Sequence, residues 1–164
     1  MIEPGRLRSA MGRFCTGVTV VTTARDDQVH AMTANAFTSV SLHPPLVLVS
    51  IDHRTRMHAL LPDTRHFGVS VLASDQERVA WHFAGRPMSD AGDLFTWDGD
   101  VPLVQDAIAH VACTLWDEHE AGDHTLYLGE VRSLAERPGE PLVFHGGTFG
   151  RIAAEPALAE SWGW

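Results

Sequence analysis

The chain has 164 residues, 45% of them apolar and 20% charged, and a formal net charge of -9. That length and balance suit one globular domain, read as residues 1–164, with a sizeable core rather than a disordered chain. The acidic excess argues against a general nucleic-acid surface or an anionic-membrane surface, while the local basic spot His53-Arg54-Thr55-Arg56 leaves a place for an anionic ligand.

In chain order, residues 4–15 read as a short amphipathic helix with Leu7, Met11 and Phe14 on one face. The apolar run Val18 to Val21 is interrupted by Thr19, too short for a signal-peptide core or a membrane span. The β-branched stretch GVTVVTTA predicts a strand, and Asp26-Asp27 a hairpin turn into VHAMTA. Pro44-Pro45 marks the start of LVLVSI, a continuous apolar run of the kind buried on both faces. TRMHALL predicts a helix stopping at Pro62, and FGVSVL a strand. SDQERVAWHFAG predicts a helix with Ser74 as its cap, Glu77 three residues on and Gly85 at the stop. Residues 86–105, rich in Gly, Pro and Asp, read as a long surface excursion. IAHVACTLWDEHE and HTLYLGEVRSL both suit strands, joined by the turn Ala121-Gly122-Asp123, and PLVFHGGTFGRI adds a final strand pair.

About seven strands with few helices predict a mainly β fold, a barrel or sandwich with appended helices. The pattern does not alternate strand with helix. It contains neither G-x-G-x-x-G at the first βα turn nor G-x-x-x-x-G-K-S/T, which argues against a Rossmann or P-loop site. Cys15 and Cys113 match no zinc or redox spacing and read as reduced thiols of a soluble, cytoplasmic protein.

Two stretches carry chemistry. In residues 31–52 a run of Thr, Asn and Ser leads directly into an apolar strand. If residues 33–41 are extended, Thr33, Asn35, Phe37, Ser39 and Ser41 share one side. That side is either a solvent-facing strand face or a ligand face. Ala34 and Ala36 are small enough to let a planar ligand approach the backbone. Arg54 and Thr55, just ahead of a helix, offer a phosphate anchor together with the helix N-terminus. The second stretch is residues 120–131. There His124 opens a strand beside a glycine turn and reads either as a solvent-facing turn histidine or as a ligand contact. His119, Glu120, Asp123 and His124 are metal-ligand types, but their order matches no recognised zinc spacing, and no metal site is expected.

Taken together, RFCTGVTVVTT, HAMTANAFTSVSLHPPLVLVSID, SDQERVAWHFAG and AGDHTLYLGEV resemble the short-chain flavin reductases of two-component flavin-dependent monooxygenases, collinearly over residues 6–150. The resemblance implies an FMN-binding split β-barrel, antiparallel and Greek-key-like with a few peripheral helices, usually a homodimer with flavin near the subunit interface. It implies an oxidoreductase that reduces FMN or FAD with NADH or NADPH and passes reduced flavin to a monooxygenase component. The flavin and its phosphate would be held by Thr33, Ala34, Asn35, Ala36, Ser39, Val40 and Ser41 with Ser50, Ile51, Asp52, Arg54 and Thr55. Phe83 would lie nearby, and His124 would contact the nicotinamide nucleotide. Such a reaction needs stacking and alignment more than a side-chain acid, so the lack of a catalytic triad is expected.

Three departures stand out. Many relatives carry H-R-G-x-Y in the final strand pair, where this chain has His145-Gly146-Gly147-Thr148-Phe149, lacking one positive charge and one phenol. Ala36 stands where serine is common. The tail Glu160-Ser161-Trp162-Gly163-Trp164 has no counterpart and reads as a frayed end or a flap on a dimer partner. A rival of another class is a non-catalytic flavin-binding sensor or carrier on the same barrel. A metal-dependent hydrolase is a remote third reading.

Overall fold

The structure, a computed structural model, describes residues 2–153, and the tryptophan-bearing tail lies outside the described residues. Helix α1 (Pro4–Met11) leads into a short strand β1 (Thr16–Gly17) and then a hairpin of β2 (Thr19–Arg25) and β3 (Gln28–Ala34). The turn at Asp26 and Asp27 is left-handed at both residues, φ 51 and 59, a conformation short polar side chains tolerate. A second hairpin, β4 (Phe37–Leu42) and β5 (Pro45–Asp52), precedes α2 (Arg56–Thr64), β6 (His66–Val71) and α3 (Glu77–Phe83). The remaining strands are β7 (Phe95–Asp98), β8 (Val101–Val104), β9 (Ala109–Ala121), β10 (His124–Glu136), β11 (Val143–His145) and β12 (Thr148–Gly150).

Seven strands form one antiparallel sheet in the order β3-β2-β6-β9-β10-β5-β4. Its two edge strands, β3 and β4, are consecutive in the chain, so the ladder curls back on itself but stays open between them. This is a mainly β fold of the split-barrel kind. The core on its inner side joins Val21, Val47, Val49, Ile51, Phe67 and Tyr127 to Met57 and Leu61 of α2. A second cluster, Val18, Val20, Leu72, Val104 and Leu142, is capped by Ala80 of α3.

Several elements differ from the sequence reading. The first helix ends at Met11 and buries no side chain. Strand β5 alternates buried and half-buried residues rather than being buried on both faces: Val47, Val49 and Ile51 point into the core, and Leu46, Leu48 and Ser50 point the other way. Pro62 lies inside α2 rather than ending it. Proline removes the N–H that would reach the carbonyl of His58, and the Tyr127 hydroxyl donates to that carbonyl instead, at 3.3 Å. Helix α3 begins at Glu77 without a Ser74 cap. Gln76 ties this corner together, accepting from the Ala73 N–H at 3.0 Å and donating to the Gln105 carbonyl at 2.8 Å.

The expected surface excursion at 86–105 instead contains the β7–β8 hairpin, with every residue of β8 buried. Gly68 makes room for it. A β-carbon there would stand 2.6 Å from the Pro102 carbonyl and 2.7 Å from Leu103. The Thr22 hydroxyl donates to the same carbonyl across this close approach. Among the described residues no helix is long and apolar enough to cross a membrane.

Candidate functional site

The N-terminal segment, the β3–β4 connection, β5 and the β11–β12 hairpin enclose a cleft of about 990 Å³. That is the upper end of the ~300–1,000 Å³ common for small-molecule sites. Phe37, Leu48, Val71 and Phe144 supply apolar wall, and Asn35, Thr38 and Ser50 supply polar groups. The β11–β12 hairpin is anchored to the N-terminal segment by a hydrogen bond from the Gly146 N–H to the Gly12 carbonyl, 2.8 Å. Its turn residues Gly146 and Gly147 both have positive φ, 60 and 86. The Phe149 ring, which stands where many relatives carry a phenol, packs on Trp81 and Phe144 with centroids 4.9 and 5.4 Å apart.

The Thr33–Ser41 block does not form one polar face. The chain leaves the strand at Asn35 and Ala36, and the β4–β5 register shifts between Ser39 and Ser41. That bulge puts the two serines on opposite sides of the sheet, because one extra residue reverses the side-chain alternation. The Thr33 hydroxyl faces α3 and donates to the Ala80 carbonyl at 2.6 Å. Asn35, Ala36, Phe37 and Thr38 line the cleft, whereas Thr33, Ala34, Ser39, Val40 and Ser41 are outside its lining. Among the described residues strand β4 is an edge strand, so its outward N–H groups have no ladder partner on that side. Phe83 lies elsewhere, against Phe95 with centroids 5.7 Å apart and beside the second core cluster.

The Ser50–Thr55 block divides by strand parity. Ser50 faces the cleft, Ile51 is fully buried, and Asp52 follows Ser50 on the cleft side. Asp52 is paired directly opposite His124 across the β5–β10 ladder, so the two side chains emerge on one face just past Ser50. Arg54 folds back onto Asp52: its Nη2 donates to Oδ2 at 2.6 Å and its Nε to Oδ1 at 3.1 Å. These hydrogen bonds hold the Asp52 carboxyl well below the usual carboxylate range. Thr55 caps α2, accepting from the His58 N–H at 3.2 Å and donating to the Asp52 carbonyl at 2.8 Å. His124 Nδ1 meets Asp123 Oδ1 at 2.7 Å, and that hydrogen bond lowers the Asp123 carboxyl below its ordinary value.

On the other side of β5 and β10, His53 Nε2 sits 3.0 Å from Thr125 Oγ1 and 3.2 Å from Glu120. His119 pairs opposite Leu126 and Glu120 opposite Thr125, so these neighbours point to opposite faces. Among the described residues no three His, Cys, Asp or Glu side chains gather as a metal site. A second cavity of about 450 Å³ lies at the β2–β3 turn, walled by Asp26, Asp27 and Asp100. Those carboxylates oppose a phosphate-bearing ligand, which favours the larger cleft.

The flavin reductase like domain family matches residues 11–153. The chain belongs to this family. Among its relatives, an NADH-dependent flavin reductase of a Rhodococcus species is 52% identical over 151 residues, 90% of this chain and 86% of that protein. The reductase subunit HsaB of a flavin-dependent monooxygenase of Rhodococcus jostii is 35% identical, covering 98% of this chain and 84% of its own. The solved structure of flavin reductase PheA2 superposes with a TM-score of 0.89 at 40% identity, over 93% of this chain and 100% of that one.

In this flavin reductase-like chain the cleft fits a flavin on one further point. Gly17, in the cleft lining, has no atom within 4 Å of where a β-carbon would stand, so the fold leaves that space open. Thr16, beside it, also lines the cleft, but its hydroxyl oxygen is shut off from solvent and has no partner among the described residues. Sequence reasoning did not reach these residues, nor Arg8, Met11 and Phe14 on the same wall. The available signal was the apolar stripe of α1, which buries nothing within one chain.

Proposed function

We propose that the protein is an NADH-dependent flavin reductase that moves hydride from the nicotinamide nucleotide to FMN or FAD and supplies the reduced flavin to a monooxygenase partner. The observation that carries this reading is the cleft itself, an apolar slot with Ser50 on its wall and the Asp52–Arg54–His124 cluster just past it. A bound flavin supplies the hydride-accepting ring, and the nicotinamide supplies the hydride. The work of the chain is then orientation. Phe37, Leu48 and Phe144 offer flat apolar walls that fix a planar ring and keep water from it. Unpaired N–H groups along the edge strand β4 are donors for the polar rim of a ring, where negative charge grows on reduction. Asn35, Ala36 and Ser50 bound the ring. Asp52, Arg54 and Thr55 form the phosphate end, and His124 meets the nicotinamide nucleotide.

The deciding measurement mixes the pure protein with NADH and excess free FMN or FAD and follows the nicotinamide absorbance. Sustained oxidation is expected. A single stoichiometric event, or none, fits a flavin carrier instead.

His124 is assigned to positioning the nicotinamide nucleotide rather than to proton transfer. Its Nδ1 already faces Asp123, which leaves Nε2 for a ligand. His124→Ala should raise KM for NADH about two- to tenfold, the loss of one neutral hydrogen bond. Flavin affinity should barely move. Loss of flavin binding in this variant contradicts the assignment.

A homodimer is part of the proposal. Leu7 and Met11 on α1 are 53% and 60% exposed, and Val40 and Leu42 on β4 are 47% and 69% exposed. A helix that buries nothing at home while carrying large apolar groups fits an intersubunit contact. Light scattering at micromolar concentration should report twice the chain mass, and an active monomer opposes the proposal. A cytoplasmic location completes it, carried by the two unpaired thiols Cys15 and Cys113.

A further inference from the structure

We propose that His53 is a positioning residue, its imidazole tying the turn that carries the phosphate end of the site to the turn that carries the nicotinamide end. The inference rests on the placing of those two ends in the function proposed above. The His53 ring meets Thr125, whose side chain leaves β10 on the face opposite to that of His124. His53 therefore acts through its neighbours and touches neither ligand.

Two turns meet here, one joining β5 to α2 and the other joining β9 to β10. Their backbones are linked by a hydrogen bond from the His53 N–H to the Asp123 carbonyl, 3.1 Å. The imidazole adds a second link, with Nε2 3.0 Å from Thr125 Oγ1 and 3.2 Å from Glu120 Oε2. The hydrogens of this cluster can be counted. The Thr125 hydroxyl gives its one hydrogen to Glu120 Oε1 at 3.2 Å, which leaves its oxygen as an acceptor. The Glu120 carboxylate only accepts, so Nε2 carries a hydrogen whatever the charge of the ring. Thr125 is 2% exposed, and its hydroxyl depends on these partners rather than on water.

The ring is also held from the core. It packs on His58 with centroids 4.7 Å apart, and His58 Nδ1 lies 2.7 Å from the hydroxyl of Tyr127, a fully buried residue of the main cluster. The other side chains of the first turn bond locally: Arg54 to Asp52, and Thr55 to the Asp52 carbonyl and the His58 N–H. Among the described residues His53 is the side chain of this turn that hydrogen-bonds to β9 or β10. Its place in the sequence gives that bond leverage. Asp52 and Arg54 flank it, and His124 immediately precedes Thr125. A reaction that depends on the mutual alignment of two bound ligands is sensitive to any play between these turns.

The test compares His53→Ala, His53→Gln and the unaltered full-length protein. Hydrogen exchange of the position-53 backbone amide reads the connection to Asp123 directly, without ligand. FMN and FAD are titrated by flavin fluorescence and KM for NADH is measured, all well below each variant's melting temperature, where a purely structural loss leaves the affinities unmoved. His53→Ala should speed exchange of that amide, weaken flavin binding and raise KM for NADH, each constant by about two- to tenfold, the loss of one hydrogen bond. His53→Gln, whose amide nitrogen reaches about as far as Nε2 and donates as it does, should restore all three. Unchanged exchange in His53→Ala overturns the tie itself. Faster exchange with both ligand constants unmoved, or with only one moved, overturns the positioning role. A glutamine variant as impaired as the alanine variant assigns the effect to ring packing on His58 and also overturns the inference. If neither Arg54→Ala nor His124→Ala alters a ligand constant, the placing of the two ends falls first and this inference with it.

Discussion

A methyl group at position 129 should lower the melting temperature by several degrees. A β-carbon at Gly129 would stand 2.4 Å from Phe67 Cζ and 2.8 Å from the Cys113 β-carbon. Phe67 and Cys113 are both buried in the main core, and Cys113 is enclosed enough that burial pushes its thiol up to about 12. Neither neighbour can swing into solvent. Overpacking of this kind costs about 1–3 kcal/mol. For a chain of this size each kcal/mol moves the midpoint about 2–4 °C. Gly129 also sits at a register shift between β9 and β10, so the ring of Phe67 fills the space the irregular ladder leaves. Phe67→Leu shortens the offending ring. In the Gly129→Ala background it should cost far less than it does alone, and a double-mutant cycle on melting data reads that coupling. Additive losses, or a Gly129→Ala protein that melts with the parent, would show that the crowding is relieved elsewhere.

The same strand illustrates what the sequence can and cannot disclose. The composition of HTLYLGEV is enough to predict β10, and strand parity puts His124, Leu126, Leu128 and Glu130 on one face, because parity is local. The resemblance of the motifs to flavin reductases carries the family and the split-barrel fold, both matched by the comparisons. What stays hidden are features set by distant partners. The bulge at Val40, which splits Ser39 from Ser41, depends on how β4 lies along β5. The use of Thr33 by α3 depends on a helix 47 positions away. Buried β8 looked like loop because its Pro102 and the surrounding Gly and Asp residues are turn formers. It is buried because Gly68, on a different strand, lets it approach.

The candidate site shows the same division. Asn35, Ala36 and Ser50 could be named from residue type and motif order, and each lines the cleft. Arg8, Met11, Phe14 and Thr16 come from the N-terminal segment, which a sequence reading assigns to packing because an amphipathic helix usually buries its stripe. Here α1 leaves that stripe exposed, and only the fold shows the N-terminal segment forming one bank of the cleft. The ion pair of Arg54 with Asp52 was also out of reach. Residues two apart share a face along a strand, but Arg54 lies beyond the end of β5, where side-chain direction is set by the turn. The contact forms because the Arg54 N–H donates to Asp52 Oδ1 at 2.8 Å and folds the turn back.

That pair sets up the largest change expected in ligand affinity. Arg54→Ala should weaken flavin binding on the order of tenfold, the scale of one charge-assisted hydrogen bond to phosphate. Arg54 is already forked onto Asp52, so the prediction requires that phosphate compete for it. The competition is feasible because the Arg54 side chain is 85% exposed, and an ion pair in that much water is weak and screened by salt. A phosphate carries more charge than one carboxylate, and the N-terminus of α2 adds its own attraction. On the proposed reading Asp52 is a placeholder that keeps the guanidinium beside the cleft side of β5 and also tempers its affinity for phosphate. Removing that carboxylate should have the opposite effect: Asp52→Asn frees Arg54, lessens the local negative charge and should tighten flavin binding. Both effects should shrink as salt is raised. Titration of each variant with FMN and with FAD, at low and at physiological ionic strength, separates the possibilities. Opposite shifts for the two variants support a phosphate at Arg54. An unchanged affinity for Arg54→Ala removes it from the phosphate site, and weaker binding in both variants assigns the pair to shaping the turn before α2.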